Sequence, residues 1–188
     1  MNKRILIVAA FMALSIKSIC LAGVIEISPS QVAIITPAVG DTDLTLGPRV
    51  CLKFNLPEEI SGVEIGYAEL AIRLDLPAMT DDSLAIFEAF GLSSGWSDNV
   101  GWSDFSTPGG DIDSAFYSSF TYRCGSDTGV SLEIANLVKA WNDSTQANYG
   151  LIIIPRTTDF NGYREFKYLA QQLQSATILK ISIPGEDE

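Results

Sequence analysis

The sequence contains no histidine. That removes Ser-His-Asp and Cys-His nucleophilic catalysis, and every histidine-ligated zinc site. An enzyme built on this chain would have to work with carboxylates, tyrosine, lysine or arginine. Positive charge is scarce too. Twelve Lys and Arg stand against 23 Asp and Glu, giving a net charge of −11 and a pI of about 4.3. So acidic a chain repels phosphate backbones, and nucleic acid is not an expected partner. Carboxylates in this number favour solubility, and a few of them could surround a hard cation such as Ca2+. No apolar run approaches the ~18 residues that a membrane-spanning helix needs. Only three cysteines are present.

At the N-terminus, Lys3 and Arg4 form a basic start and Ile5 to Leu14 an apolar run. Cys20-Leu21-Ala22 then ends in small residues. This pattern predicts a secretory signal over residues 1–22, cleaved after Ala22. A lipoprotein signal would place small residues directly before its cysteine. Lys17-Ser18-Ile19 precedes Cys20, so lipidation ranks second. Removal of residues 1–22 takes Lys3, Arg4 and Lys17 and no acid. It leaves 9 basic against 23 acidic side chains, a charge of −14. Localisation is expected to be secreted, either extracellular or periplasmic. Cys51 and Cys124 remain, and an even pair in an oxidising compartment predicts one disulfide. Two unlinked thiols on separate strands is the alternative.

Residues 23–188 are long enough for one domain with a core. The whole chain, at 47% hydrophobic and 19% charged, is not of a disordered class. Val130 to Pro155 is the most structured stretch. Ile134, Leu137, Val138 and Trp141 recur at helical spacing, which predicts one short helix near residues 133–142. Asn142 to Thr145 break that helix with side chains that bond the local backbone. Leu151 to Ile154 then form an apolar run suited to a strand buried on both faces.

Elsewhere the period is two. Val50, Leu52, Phe54 and Leu56 alternate with Cys51, Lys53 and Asn55, and Ala68 to Leu76 alternate likewise. Val24 to Ile27 and Val32 to Ile35, split by Ser28-Pro29-Ser30, read as two strands around a turn or one bent edge strand. Ser83 to Ala89, Ser114 to Cys124, Tyr163 to Tyr168 and Ile178 to Ile183 complete the strands. Gly91 to Gly110 is irregular and holds Trp96, Trp102 and Phe105. Many short strands with one helix and no βαβ unit predict an all-β, antiparallel, jelly-roll-like sandwich.

Five segments resemble, in order, the motifs of one family. They are Arg49 to Leu56, Ala68-Glu69-Leu70, Trp96 to Trp102, Leu132 to Trp141 with Asn148 to Leu151, and Leu179 to Ile183. That family is the DNRLRE-type domain, which is similar to a carbohydrate-binding module family that recognises uronic-acid polysaccharides. The resemblance covers nearly all of residues 23–188. It departs at Gly101, where the family has Thr, and at Glu133-Ile134-Ala135 and Ala176-Thr177-Ile178. It implies a jelly-roll sandwich, secreted or surface-attached, usually an appendage without catalysis.

The three tryptophans fall on motif positions, and core packing is the reading the periodicity favours for them. Tyr117, Tyr122 and Tyr163 are less constrained and serve as candidate exposed sugar platforms. Arg73, Arg123 and Arg164 carry donor forks that could grip an acidic sugar. The competing readings are cross-strand packing for the tyrosines and pairing with Asp or Glu for the arginines. The expected partner is a polysaccharide or cell-surface polymer, bound without catalysis. A structural or adhesive role with a surface-protein partner is the alternative. No cofactor beyond the possible Ca2+ is expected.

Overall fold

Alternation of apolar and polar residues puts one face of each strand into a shared core, and two such sheets close on each other about 10 Å apart. A computed structural model describes residues 23–37, 48–73, 84–123, 127–155, 173 and 176–185. Among the described residues the strands are β1 (Gly23–Ile27), β2 (Gln31–Ile35), β3 (Arg49–Lys53), β4 (Tyr67–Arg73), β5 (Leu84–Leu92), β6 (Ile112–Arg123), β7 (Gly129–Glu133), β8 (Leu151–Pro155) and β9 (Thr177–Ile183). A helix, α1 (Ala135–Asn142), lies between β7 and β8. The predicted strand at Tyr163 to Tyr168 lies outside the described residues.

One sheet has the order β1-β9-β4-β7 and the other β2-β3-β8-β5-β6, all antiparallel. The pairs β1–β9, β3–β8, β4–β7 and β5–β6 are those of one long hairpin wound over on itself, the jelly-roll arrangement. β2 is an added strand beside β3.

Side-chain parity explains the core. Val50 and Leu52 of β3, Leu70 and Ile72 of β4, Leu151 and Ile153 of β8, and Leu179 and Ile181 of β9 pack between the sheets. The alternate residues of β8, Ile152 and Ile154, pack on the opposite face of their sheet with Cys51, Trp102 and Phe105. So β8 is buried on both faces, as its unbroken apolar run requires. What covers that second face is the segment 93–110. It is held down at several points. Arg49 lies 4.6 Å from the Trp102 ring centroid and donates to the Gly109 carbonyl at 2.5 Å. Trp96 Nε1 donates to the Tyr149 carbonyl at 2.7 Å. Trp102 and Trp141 are buried, at 7% and 6% exposure, and Trp96 is half-buried.

The turn before β8 is closed by side-chain amide bonds. Asn148 Nδ2 donates to the Phe54 carbonyl at 2.7 Å, and its Oδ1 accepts the Gly150 N–H at 3.1 Å. Gly150 has φ +86°, and a Cβ there would collide with the Leu52 carbonyl. Asn and Gly at this spacing are thereby given a physical reason.

The disulfide expectation is corrected. Cys51 is a free, fully buried thiol. It lies level with Ile152, Phe90 and Tyr117 across the sheet. That is three strand spacings, or about 14 Å, from β6. Arg123, the residue before Cys124, is six strand positions further on, about 20 Å more. Cys124 itself lies outside the described residues.

Candidate functional site

The 93–110 segment covers β2, β3 and β8 and stops short of part of β5 and β6. On that uncovered shelf, strand alternation sends Tyr117, Ser119, Thr121 and Arg123 of β6 outward, and all four are exposed. Directly opposite on β5 stand Phe90, Glu88 and Ile86, in the pairs Phe90↔Tyr117, Glu88↔Ser119 and Ile86↔Thr121. The intervening β6 residues, Phe120 and Tyr122, fill the core, where Phe120 stacks on Phe87 at 4.9 Å.

Tyr117 is 53% exposed and Ile86 42%. The Tyr117 ring leans on Phe90 with centroids 5.2 Å apart, and its hydroxyl donates to Glu88 Oε1 at 3.4 Å. These contacts fix the ring and leave one face to solvent. At the other end, the Arg123 N–H donates to the Asp127 carboxylate at 2.6 Å and its carbonyl accepts the Asp127 N–H at 3.1 Å. That turn anchors the backbone from which the Arg123 side chain projects. From Tyr117 to Arg123 the row runs about 20 Å. It presents an aromatic face, a carboxylate, two hydroxyls and a guanidinium, the groups that polyhydroxylated rings can pack on and bond to.

Two predicted site residues thus come together on one surface, Tyr117 and Arg123. Tyr122 does not, and its candidacy is corrected. It is 1% exposed, because its parity on β6 points between the sheets. Arg73 ends β4 opposite Gly129 and is exposed on the outer face of the other sheet. It lies at the same end of the sandwich as Arg123 and faces the opposite way. Tyr163, Arg164 and Cys124 lie outside the described residues. Sequence reasoning missed Ile86 and Glu88. Their signal was the alternation of β5, in which Ile86 and Glu88 share a face opposite that of Phe87.

A cleft of about 280 Å3 opens between β6 and the start of α1, and Phe90 and Tyr117 of the shelf also line it. Its floor includes the core residues Ala89, Ile134, Leu137 and Leu151, with the half-buried Phe116 beside them. Among the described residues no group of three His, Cys, Asp or Glu side chains is placed to hold a metal ion. The Asp111 carboxylate accepts bonds from the Ser94 hydroxyl at 2.6 Å, the Thr107 N–H at 2.6 Å and the Ser106 N–H at 3.2 Å. Those bonds, the Ser94 one foremost, hold Asp111 below the usual carboxylate range. Among the described residues no helix is long and apolar enough to cross a membrane.

Set against known proteins, the chain matches no protein-family model and no curated sequence.

Proposed function

We propose that this chain is a secreted or surface-attached, non-catalytic β-sandwich that binds a polysaccharide or cell-surface polymer along the outer face of β5 and β6. The observation that carries this reading is the exposed row Tyr117, Ser119, Thr121 and Arg123, with Glu88 and Ile86 beside it. A linear glycan can lie along such a row and meet a ring, hydroxyls and a charged donor in succession. The resemblance to DNRLRE-type domains supports the same role. Between Tyr117 and Arg123 the shelf carries one carboxylate, Glu88, whereas glycoside hydrolysis generally uses two acids about 5–10 Å apart. That favours binding over cleavage.

Affinity gels cast with neutral glucans, alginate or pectin test the reading, run with and without EDTA beside an assay for reducing ends. Retardation by at least one polymer is expected, unchanged by EDTA and without release of reducing sugar. Tyr117→Ala is expected to weaken binding about tenfold, equivalent to ~1.4 kcal/mol, with an unaltered melting temperature because the ring is exposed. Arg123→Ala should weaken binding to the acidic polymers only. Release of sugar by the pure protein would overturn the non-catalytic role. The absence of retardation on the whole panel would favour a structural part in a surface assembly. One observation already points that way: among the described residues, β6 stands at the end of its sheet.

A further inference from the structure

We infer that the cleft beside the shelf takes a single neutral sugar unit that carries a methyl group, a 6-deoxy or N-acetyl sugar, as a chain end or a side branch of the bound polymer. The inference rests on the reading of the β5–β6 shelf as a glycan surface, and it names the unit recognised at one end of it.

The cleft opens where β6 breaks step with β5. Phe90 pairs with Tyr117 and Gly91 with Asp113, so Ser114, Ala115 and Phe116 have no partner on β5. Extra residues of this kind bend a strand and re-aim its side chains. Ala115 is exposed here and Phe116 half-buried, and both line the cleft. The cleft adjoins the Tyr117 end of the shelf, since Phe90 and Tyr117 border both. Its volume of about 280 Å3 falls just under the ~300–1,000 Å3 of sites for drug-sized ligands, which suits one ring and not a run of them.

The lining divides by chemistry. Ala89, Ile134, Leu137 and Leu151, with Phe116 beside them, are hydrocarbon. None of these side chains can bond a hydroxyl. A hydroxyl pressed against them would lose water without gaining a partner, whereas a methyl group there gains by burial. Ser118, Glu133 and Asn136 also line the cleft and can bond ring hydroxyls. Glu133 is exposed and is the one charged side chain of the lining, and Glu69 stands directly opposite it on β4. Two like charges so placed repel an anion. An acidic unit is therefore disfavoured in the cleft, and Arg123, which could meet one, lies about 20 Å along the row. A neutral ring with hydroxyls on one side and a methyl group on the other matches this lining.

The test is an NMR titration of the isotope-labelled chain with free sugars in pairs, followed at the backbone amides of Ala115, Ser118 and Asn136. L-Fucose is set against L-galactose, L-rhamnose against L-mannose, and N-acetylglucosamine against glucose. The first of each pair brings a methyl group that the second lacks. At least one methyl-bearing sugar is expected to shift these signals at millimolar concentration, and its partner to bind about tenfold more weakly. Ala115→Phe places a ring at an exposed position of the cleft. It is expected to abolish the shifts at Ser118 and Asn136 without lowering the melting temperature. The inference is overturned if no methyl-bearing sugar moves these signals, if the members of each pair bind alike, or if Ala115→Phe binds as the wild type does. The affinity gels separate it from the wider reading. A chain retarded by a polymer, with cleft signals unmoved by every sugar, would keep the glycan surface and remove the cleft site. A chain that binds a methyl-bearing sugar in the cleft and is retarded by no polymer would support the cleft site and remove the polymer.

Discussion

Cys51 shows how position alone sets the chemistry of a side chain. Its thiol is buried among Ala33, Ile35, Ile152 and Trp102, and burial pushes its pKa up to about 12, with nearby Arg49 pulling weakly the other way. The thiolate is the reactive species. The native chain should therefore leave Cys51 unmodified by iodoacetamide at pH 8 and expose it to the reagent on unfolding in guanidinium, as read by peptide mass spectrometry. Rapid native alkylation of Cys51 would show that the cover over β3 opens freely. Gly150 makes a second case. Alanine there would have to adopt φ +86° and overlap the Leu52 carbonyl. Gly150→Ala should lower unfolding free energy by roughly 2–4 kcal/mol in urea melts; a cost near zero would mean the turn relaxes without strain. Other single-residue facts were less legible in sequence. Both parities of β6 carry aromatics, Phe116, Phe120 and Tyr122 on one and Tyr117 on the other. Nothing local says which parity is buried, and a one-residue slip exchanges all of them. Hence Tyr122 and Tyr117 looked alike as platforms until the strand was placed.

At the scale of elements, the strands and the helix were legible because period two and period 3.6 are local signals. Ala135–Asn142 and Leu151–Pro155 form where the apolar spacing puts them. The segment 93–110 was legible only as irregular. Its role as a cover rests on contacts distant in sequence, such as Arg49 to Trp102 and Trp96 to Tyr149. Asp111 is the clasp of this cover, since its carboxylate binds Ser94 at one end and Ser106 and Thr107 at the other. Those bonds favour the ionised form and depress the folded pKa. A depressed acid stabilises the fold above its unfolded value, near 3.9, and loses that contribution as pH falls through the lower folded value. Asp111→Asn should thus cost about 1 kcal/mol at pH 7. The gap from wild type should narrow once pH drops below about 4. Urea melts of both proteins at neutral and acid pH would show this, and a gap that is constant with pH would mean that the charge of Asp111 contributes nothing.

For the whole molecule, the all-β class follows from the sequence, but the winding does not. Arg73 and Arg123 both sit at strand ends and looked able to share a site. Between Arg123 and Gly129, however, the chain leaves one sheet and joins the other, so the two guanidinium groups face opposite sides of the sandwich. Among the described residues, Arg123 is the one candidate arginine beside Tyr117 to receive an acidic polymer, against a net charge of −11 over the whole chain. Long-range repulsion is screened within about 10 Å at 0.1 M salt, and a close contact at Arg123 is screened less. For alginate or pectin, retardation should therefore increase several-fold as salt rises from a few millimolar towards physiological strength. A neutral glucan should bind with no such dependence. Arg123→Ala should lower retardation by the acidic polymers at every salt concentration without changing the direction of the trend. Binding to a polyanion that falls steeply with salt would show instead that local attraction outweighs the acidity of the chain, and would place more positive charge at the contact than Arg123 supplies.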